Sequence, residues 1–244
     1  MRVTRRSAFV SLTAAALLVL AGCSGDAPAS TDRVESTPDE QVESSAPATD
    51  EASQETGEVA LGSVGFVADD ILPTVYATLV NSTLDVVMVE VNYAAYDAAG
   101  AVLGTTASYD VIASETTSQT ATYISVPDGS AIAKVDAQVT VSDSQPDAHP
   151  DIAMTAGNIT ILADEWSTKV TGTIDSTYSQ SVTNVAAAAI CTDAAGTVVA
   201  AGSTYLSGTV VPGTPAPFDI SLTAASVPTA CTVTAGVSNI SEGS

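Results

Sequence analysis

The residues best able to do chemistry lie in one short stretch, Asp147-Ala148-His149-Pro150-Asp151, which holds the only histidine of the 244-residue chain. In an extended backbone alternate residues point to one side. Asp147, His149 and Asp151 could then converge on Zn²⁺ or, with Asp143, on Ca²⁺. The competing reading is a solvated acidic joint, which the composition favours, with 28 Asp and Glu against 6 Lys and Arg. A Ser-His-Asp triad would have to use the same proline-flanked His149, without the rigid surroundings such a site needs. The chain has no Gly-x-Ser-x-Gly, His-Glu-x-x-His or phosphate-loop pattern. The sequence thus assigns no catalytic residue, no metal and no cofactor, and the protein reads as a non-enzyme.

Other candidates carry less chemistry. Asp69-Asp70 and Asp164-Glu165 precede strands at similar places and read as loop charges, with weak Ca²⁺ binding as the alternative. Asn81-Ser82-Thr83, Asn158-Ile159-Thr160 and Asn239-Ile240-Ser241 have the form of glycosylation sequons, but Asn suits turns without a glycan. Trp166, the single tryptophan, could line a groove; an isolated Trp at a strand start is expected to plug a core instead. The acid excess excludes nucleic-acid binding and electrostatic attachment to anionic lipid, both of which need a basic face.

The three cysteines, Cys23, Cys191 and Cys231, divide into one and two. Arg2, Arg5 and Arg6 form a basic region, and Ala8 to Ala21 is apolar. That run is shorter than the roughly 20 residues a membrane span needs, but it suits a signal-peptide core. It ends in Leu20-Ala21-Gly22-Cys23, which resembles a bacterial lipobox. The resemblance implies cleavage after residue 22, diacylglycerol on the Cys23 thiol, and a protein held on the outer face of the cytoplasmic membrane. An ordinary signal peptide is the alternative. Thr4-Arg5-Arg6-Ser7-Ala8-Phe9 partly resembles a twin-arginine motif, so both that route and the general secretory route stay open.

Residues 23–58 read as a tether. They hold ten acidic residues, one basic residue (Arg33) and no aromatic. Such a segment cannot bury enough surface to offset its ordering entropy. As a flexible chain it spans about 30–35 Å.

Beyond it the chain is organised by a repeat. Tyr93-Ala94-Ala95-Tyr96-Asp97-Ala98-Ala99-Gly100 is matched, ninety-six residues on, by Ala189-Ile190-Cys191-Thr192-Asp193-Ala194-Ala195-Gly196. Asp-Ala-Ala-Gly has turn chemistry, so each copy predicts a β-hairpin. Val86 to Asp97 alternates, with Val87, Val89, Val91, Tyr93 and Ala95 on one face. Further strands are predicted at Val75–Val80, Thr117–Val126, Ile132–Val141, Thr197–Leu206 and Ala230–Val237. Val64, Phe66 and Ile71 fall in short apolar runs broken by Gly62, Gly65 and Asp69-Asp70. Ala186 to Ala189 alone suggests helix. The repeat overrules this and predicts a strand with Val185, Ala187, Ala189 and Cys191 inward. Trp166-Ser167-Thr168-Lys169-Val170 is aligned with Leu72-Pro73-Thr74-Val75-Tyr76, and Asp175-Ser176 with Asn81-Ser82. The two prolines and three acidic residues around His149 argue against sheet there. The expected layout is a first domain over 59–143, a joint over 144–151 and a second domain over 152–244.

Tyr93-Ala94-Ala95-Tyr96-Asp97, its turn, and Pro212-Gly213-Thr214-Pro215-Ala216-Pro217-Phe218 resemble the FxLYD domain of bacterial and archaeal envelope proteins. Tyr93 stands for the Phe and Ala95 for the Leu, while Tyr96 and Asp97 match. In the second copy Asp193 alone of the signature survives. The resemblance covers about 59–143 and 152–241. It implies two tandem immunoglobulin-like β-sandwiches, an all-β fold, and signature residues with structural roles.

The repeat places Cys191 on Ala95 and Cys231 on Val135, both inward. In an exported protein, where thiols are oxidised, the pair is expected to form a Cys191–Cys231 disulfide, across the sheets or between neighbouring strands. The functional expectation is a non-catalytic, surface-displayed lipoprotein that meets another envelope protein. The alternative is a small-ligand capture protein serving a transporter, for which the chain lacks the helix-period segments of two α/β lobes.

Overall fold

The computed structural model describes residues 59–148 and 153–238. The chain divides into Met1–Asp50 and Glu51–Ser244, and the described residues belong to the second unit. The expectations for Cys23, the leader, the tether, His149, Asp151 and Asn239 lie outside the described residues.

The fold is all-β. Six strands form the first half: β1 (Val59–Val67), β2 (Thr74–Asn81), β3 (Asp85–Tyr96), β4 (Val102–Ile112), β5 (Thr117–Tyr123) and β6 (Lys134–Pro146). Six more follow: β7 (Met154–Ala163), β8 (Thr168–Ser176), β9 (Val185–Thr192), β10 (Val198–Tyr205), β11 (Ala216–Ala224) and β12 (Ala230–Val237). In the first half β1-β2-β5 faces β4-β3-β6. The second half repeats both orders as β7-β8-β11 and β10-β9-β12, joined into one sheet by a short ladder pairing Ala200 with Ala224 and Ala201 with Thr223. Each half is thus an antiparallel sandwich of immunoglobulin-like kind.

Alternation builds each core. Val87, Val89, Val91, Tyr93 and Ala95 of β3 are all buried, against Val75, Ala77 and Leu79 of β2. On β9, Val185, Ala187, Ala189 and Cys191 are likewise buried, and the alanine run is strand. Small residues on β9 leave room that Phe218 fills. Its ring lies over its register partner Gly172, where an added Cβ would meet the ring at 2.8 Å.

Several elements differ from expectation. β1 is continuous through Gly62 and Gly65, because a register shift between Leu61 and Val64 absorbs the irregularity while pairing with β2 continues. β6 runs to Pro146, three residues past the expected boundary at 143. Asp85, Val86 and Val87 supply partners for Pro146, Gln145 and Ser144, and Pro146 sits on an edge strand where no ladder N–H is needed. The repeat's register in β8 is also one residue off. Val75, Leu79 and Asn81 correspond to Val170, Ile174 and Ser176, all buried, an offset of 95 rather than 94. A one-residue slip exchanges the faces of a strand. Tyr76 therefore corresponds to Thr171, not Val170, and points out of its own sandwich.

That outward face is covered. Tyr76, Val67 and Ala121 of the first half pack with Ile190 and Ala201 of the second. A second shared cluster joins Val86 and Val111 to Val182, Val185, Val210 and Val237. Hydrogen bonds cross between the halves: Gln119 N–H donates to Thr234 Oγ1 (2.9 Å), Ser203 Oγ to the Ala121 carbonyl (2.8 Å), and Thr74 Oγ1 to Thr223 Oγ1 (2.7 Å).

Candidate functional site

The repeated turns are built alike. Asp97 Oδ1 accepts from the N–H groups of Ala99 (2.9 Å) and Ala101 (2.8 Å). Asp193 Oδ1 accepts from Ala195 (2.9 Å) and Thr197 (3.0 Å). Gly100 and Gly196 both take φ of +83°, which only glycine adopts without strain. Asp97 and Asp193 thus close hairpins, and their carboxylates are committed to backbone.

The other sequence candidates also resolve into structure. Asn81 is buried, and its amide donates to the carbonyls of Asp85, Ile112 and Ala113 (2.8, 3.3 and 2.9 Å) while its oxygen accepts from Thr83. The side chain locks three segments together. Asp147 accepts from Ser114 Oγ at 2.6 Å, and Asp143 accepts from the Ser144 N–H. Among the described residues no group of three or more His, Cys, Asp or Glu is placed to hold a metal.

Cys191 and Cys231 are joined by a disulfide, with Cα atoms 4.0 Å apart. They lie on the neighbouring strands β9 and β12, directly opposite in register. Of the two arrangements open from sequence, the bond is cross-strand rather than cross-sheet.

Trp166 does not plug a core; it is 88% exposed. Asp164 Oδ1 accepts from the N–H groups of Trp166 and Ser167, both at 2.8 Å, and this turn holds Trp166 at the β7–β8 tip. Asp69 Oδ1 makes the same turn with Ile71 (2.9 Å) and Leu72 (2.8 Å) at the β1–β2 tip. The backbone N–H groups, of Leu72 then Ile71 and of Trp166 then Ser167, hold both carboxyls below the usual value. The first residue of each acidic pair, Asp69 and Asp164, is a turn former.

Sequence reasoning missed the crevice between the halves, a space of about 240 Å³ lined by residues including Ser108, Asp110, Gln119, Ser203, Tyr205 and Thr234. Asp110 accepts from Ser118 Oγ (2.6 Å) and from the Val111 N–H (3.0 Å). Burial pushes its carboxyl up to about 6, against the lowering effect of those bonds. Beside it Thr120 Oγ1 donates to Ser108 Oγ at 2.8 Å. These two side-chain bonds fasten β4 to β5, where the second half uses the β10–β11 ladder. Only the approach of β4 to β5 across the two sheets, with no backbone ladder between them, brings Asp110 and Ser118 together, and nothing local in the sequence marks it. The crevice holds one carboxylate with hydroxyls and amides.

No family model matches the chain, and no curated protein matches it. Among solved structures, the crystal structure of red sea bream transglutaminase aligns with 72% of this chain at 10% identity and a TM-score of 0.24. The alignment spans 31% of that protein's length, and a likeness at that level assigns no activity.

Proposed function

We propose that the protein is a non-catalytic lipoprotein, anchored through Cys23 on the outer face of the cytoplasmic membrane, whose paired FxLYD-like sandwiches serve as an interaction module of the cell envelope. The observation that carries the reading is the order basic region, apolar core, Leu20-Ala21-Gly22-Cys23, acidic spacer, all-β body. Two acyl chains anchor a protein stably, at about 0.8 kcal/mol per buried CH₂. The tether then displays the body away from the lipid. Asp69, Asp97, Asp164, Asp193 and Asn81 serve turns and strand junctions, which suits a scaffold that presents surface rather than one that turns over substrate.

Cys23→Ser tests the anchor. The variant is expected to leave the membrane fraction for the medium, or to stay unprocessed. A variant that is processed and still membrane-bound would overturn the reading. General amine- and carboxyl-directed cross-linking on intact cells tests the interaction role, with joined envelope proteins as the expected result.

The Asp110 crevice favours a second reading, capture of a small hydrogen-bonding ligand for a transporter. Native mass spectrometry of the purified full-length protein distinguishes the two: a bound small molecule, lost in Asp110→Ala, supports capture.

A further inference from the structure

Two hairpin tips hold their largest apolar side chains out into water. Ile71 is 86% exposed at the β1–β2 tip, and Trp166, ninety-five residues on, is 88% exposed at the β7–β8 tip. Scattered exposed apolar residues are ordinary. Here the same backbone device presents them twice, since Asp69 and Asp164 each tie down two N–H groups of the tip. The first tip is braced further by Gly129, where any Cβ would collide with the Asp69 carbonyl.

The two tips lie at one end of the body. Thr223 Oγ1 donates to the Leu72 carbonyl at 3.3 Å. Its neighbour Leu222 pairs with Thr168, two residues from Trp166. Leu72 in the first tip, Tyr123 at the end of β5 and Leu162 near the end of β7, all substantially exposed, add apolar surface beside the tips. Tyr123 lies opposite Thr74 and Leu162 opposite Lys169. Asp70 and Glu165, both exposed, put negative charge beside the apolar residues of each tip.

We propose that the Ile71 and Trp166 tips form one docking surface for a protein whose recognition site is an apolar pocket bordered by Lys and Arg. Charge complementarity selects this occupant. A second copy of the chain brings the same acidic tips, from a sequence of 28 acidic and 6 basic residues. An anionic bilayer repels them as well. Tips fixed by side-chain–backbone bonds lose little conformational freedom on docking. The inference rests on the interaction-module reading and gives it a surface and a partner chemistry.

The test places a photoactivatable cross-linking residue at position 71 or 166 of the full-length protein in its own cells, with exposed Val102 and Tyr205 as control positions. Positions 71 and 166 are expected to capture the same protein, through a segment in which apolar residues are flanked by Lys or Arg. Asp70→Lys with Glu165→Lys should lower that yield several-fold, because neither residue forms the turns. Adducts to a second copy, to lipid, or from the control positions alone would overturn the docking surface while leaving the interaction role standing. Adducts from no position, with general cross-linking also negative, would overturn both.

Discussion

Cys191 and Cys231 stand opposite each other on β9 and β12 in the register that Ala95 and Val135 occupy on β3 and β6. The first half fills this position with a methyl against an isopropyl group, and the second with a covalent bond. The exchange is intelligible from the cores. The first is built on Val, Leu, Ile and Tyr93, whereas Ala187, Ala189 and Ala200 leave the second with less apolar area to bury.

Removing the bond should therefore cost the second half stability without changing its fold. The disulfide closes a separation of 40 residues, which the chain-entropy account values at about 4 kcal/mol. Cys191→Ala with Cys231→Ala is expected to lower the denaturation midpoint while keeping the strand signature in circular dichroism. Alkylation of both cysteines in the denatured, unreduced wild-type protein would refute the pairing.

The apolar contact between the halves predicts one unfolding transition for the body. Val111 is buried against Val185, Val210 and Val237. Val111→Asp places an unpaired carboxylate there and should cost more than about 3 kcal/mol. A fragment 152–244 exposes its Ile190 and Ala201 contacts to water. It should still unfold cooperatively, as the repeat implies, but at lower denaturant than the whole. An equal midpoint would mean that the contact contributes no stability.

Asp110 gives a pH dependence of unusual sign. Its folded value of about 6 lies above the ordinary 3.8, because burial disfavours the charged form. Between these values the folded state binds more protons than the unfolded, so this group's contribution falls as pH rises from about 4 to 6 and then levels. The loss is at most about 3 kcal/mol. Asp110→Asn should gain stability relative to wild type across that window, read as the difference in melting temperature at pH 4, 5, 6 and 7. Parallel profiles would show that the carboxyl titrates normally.

How far the sequence carried depended on the range of the interaction. The Asp97 and Asp193 turns and the inward face of β3 rest on local chemistry and alternation, the strand character of Ala186–Ala189 on the repeat, and all are present. Trp166 was misplaced because burial was inferred from side-chain type, while its backbone N–H is captured by Asp164 two residues before. The contact between halves left a trace: β9 is buried on both faces, through Ala188 and Ile190 as well as Ala187 and Ala189, and strands covered on both sides lose alternation. Which second surface covers it depends on Val67, Tyr76 and Ala121, all far off in the chain, and periodicity carries no record of that.

Tyr93 offers the sharpest test of how the first core is assembled. Its ring is buried between the sheets. Burial pushes its hydroxyl up to about 12, despite the lowering influence of the nearby Ser108 and Thr120 hydroxyls, so it is neutral at any ordinary pH. Ser108 and Thr120 bond to each other at 2.8 Å, and Tyr93 Oη is buried without a hydrogen-bond partner in the protein. A buried hydroxyl in that position costs desolvation and gains no bond, a penalty of about 1–3 kcal/mol. Tyr93→Phe keeps the ring and removes the penalty, so stability should rise by about 1 kcal/mol. Tyr93→Ala should fall by about 3–5 kcal/mol as the cavity opens. Chemical denaturation of both variants separates ring from hydroxyl. A Tyr93→Phe variant less stable than wild type would show that the hydroxyl is bonded in solution and that the Ser108–Thr120 pair includes it.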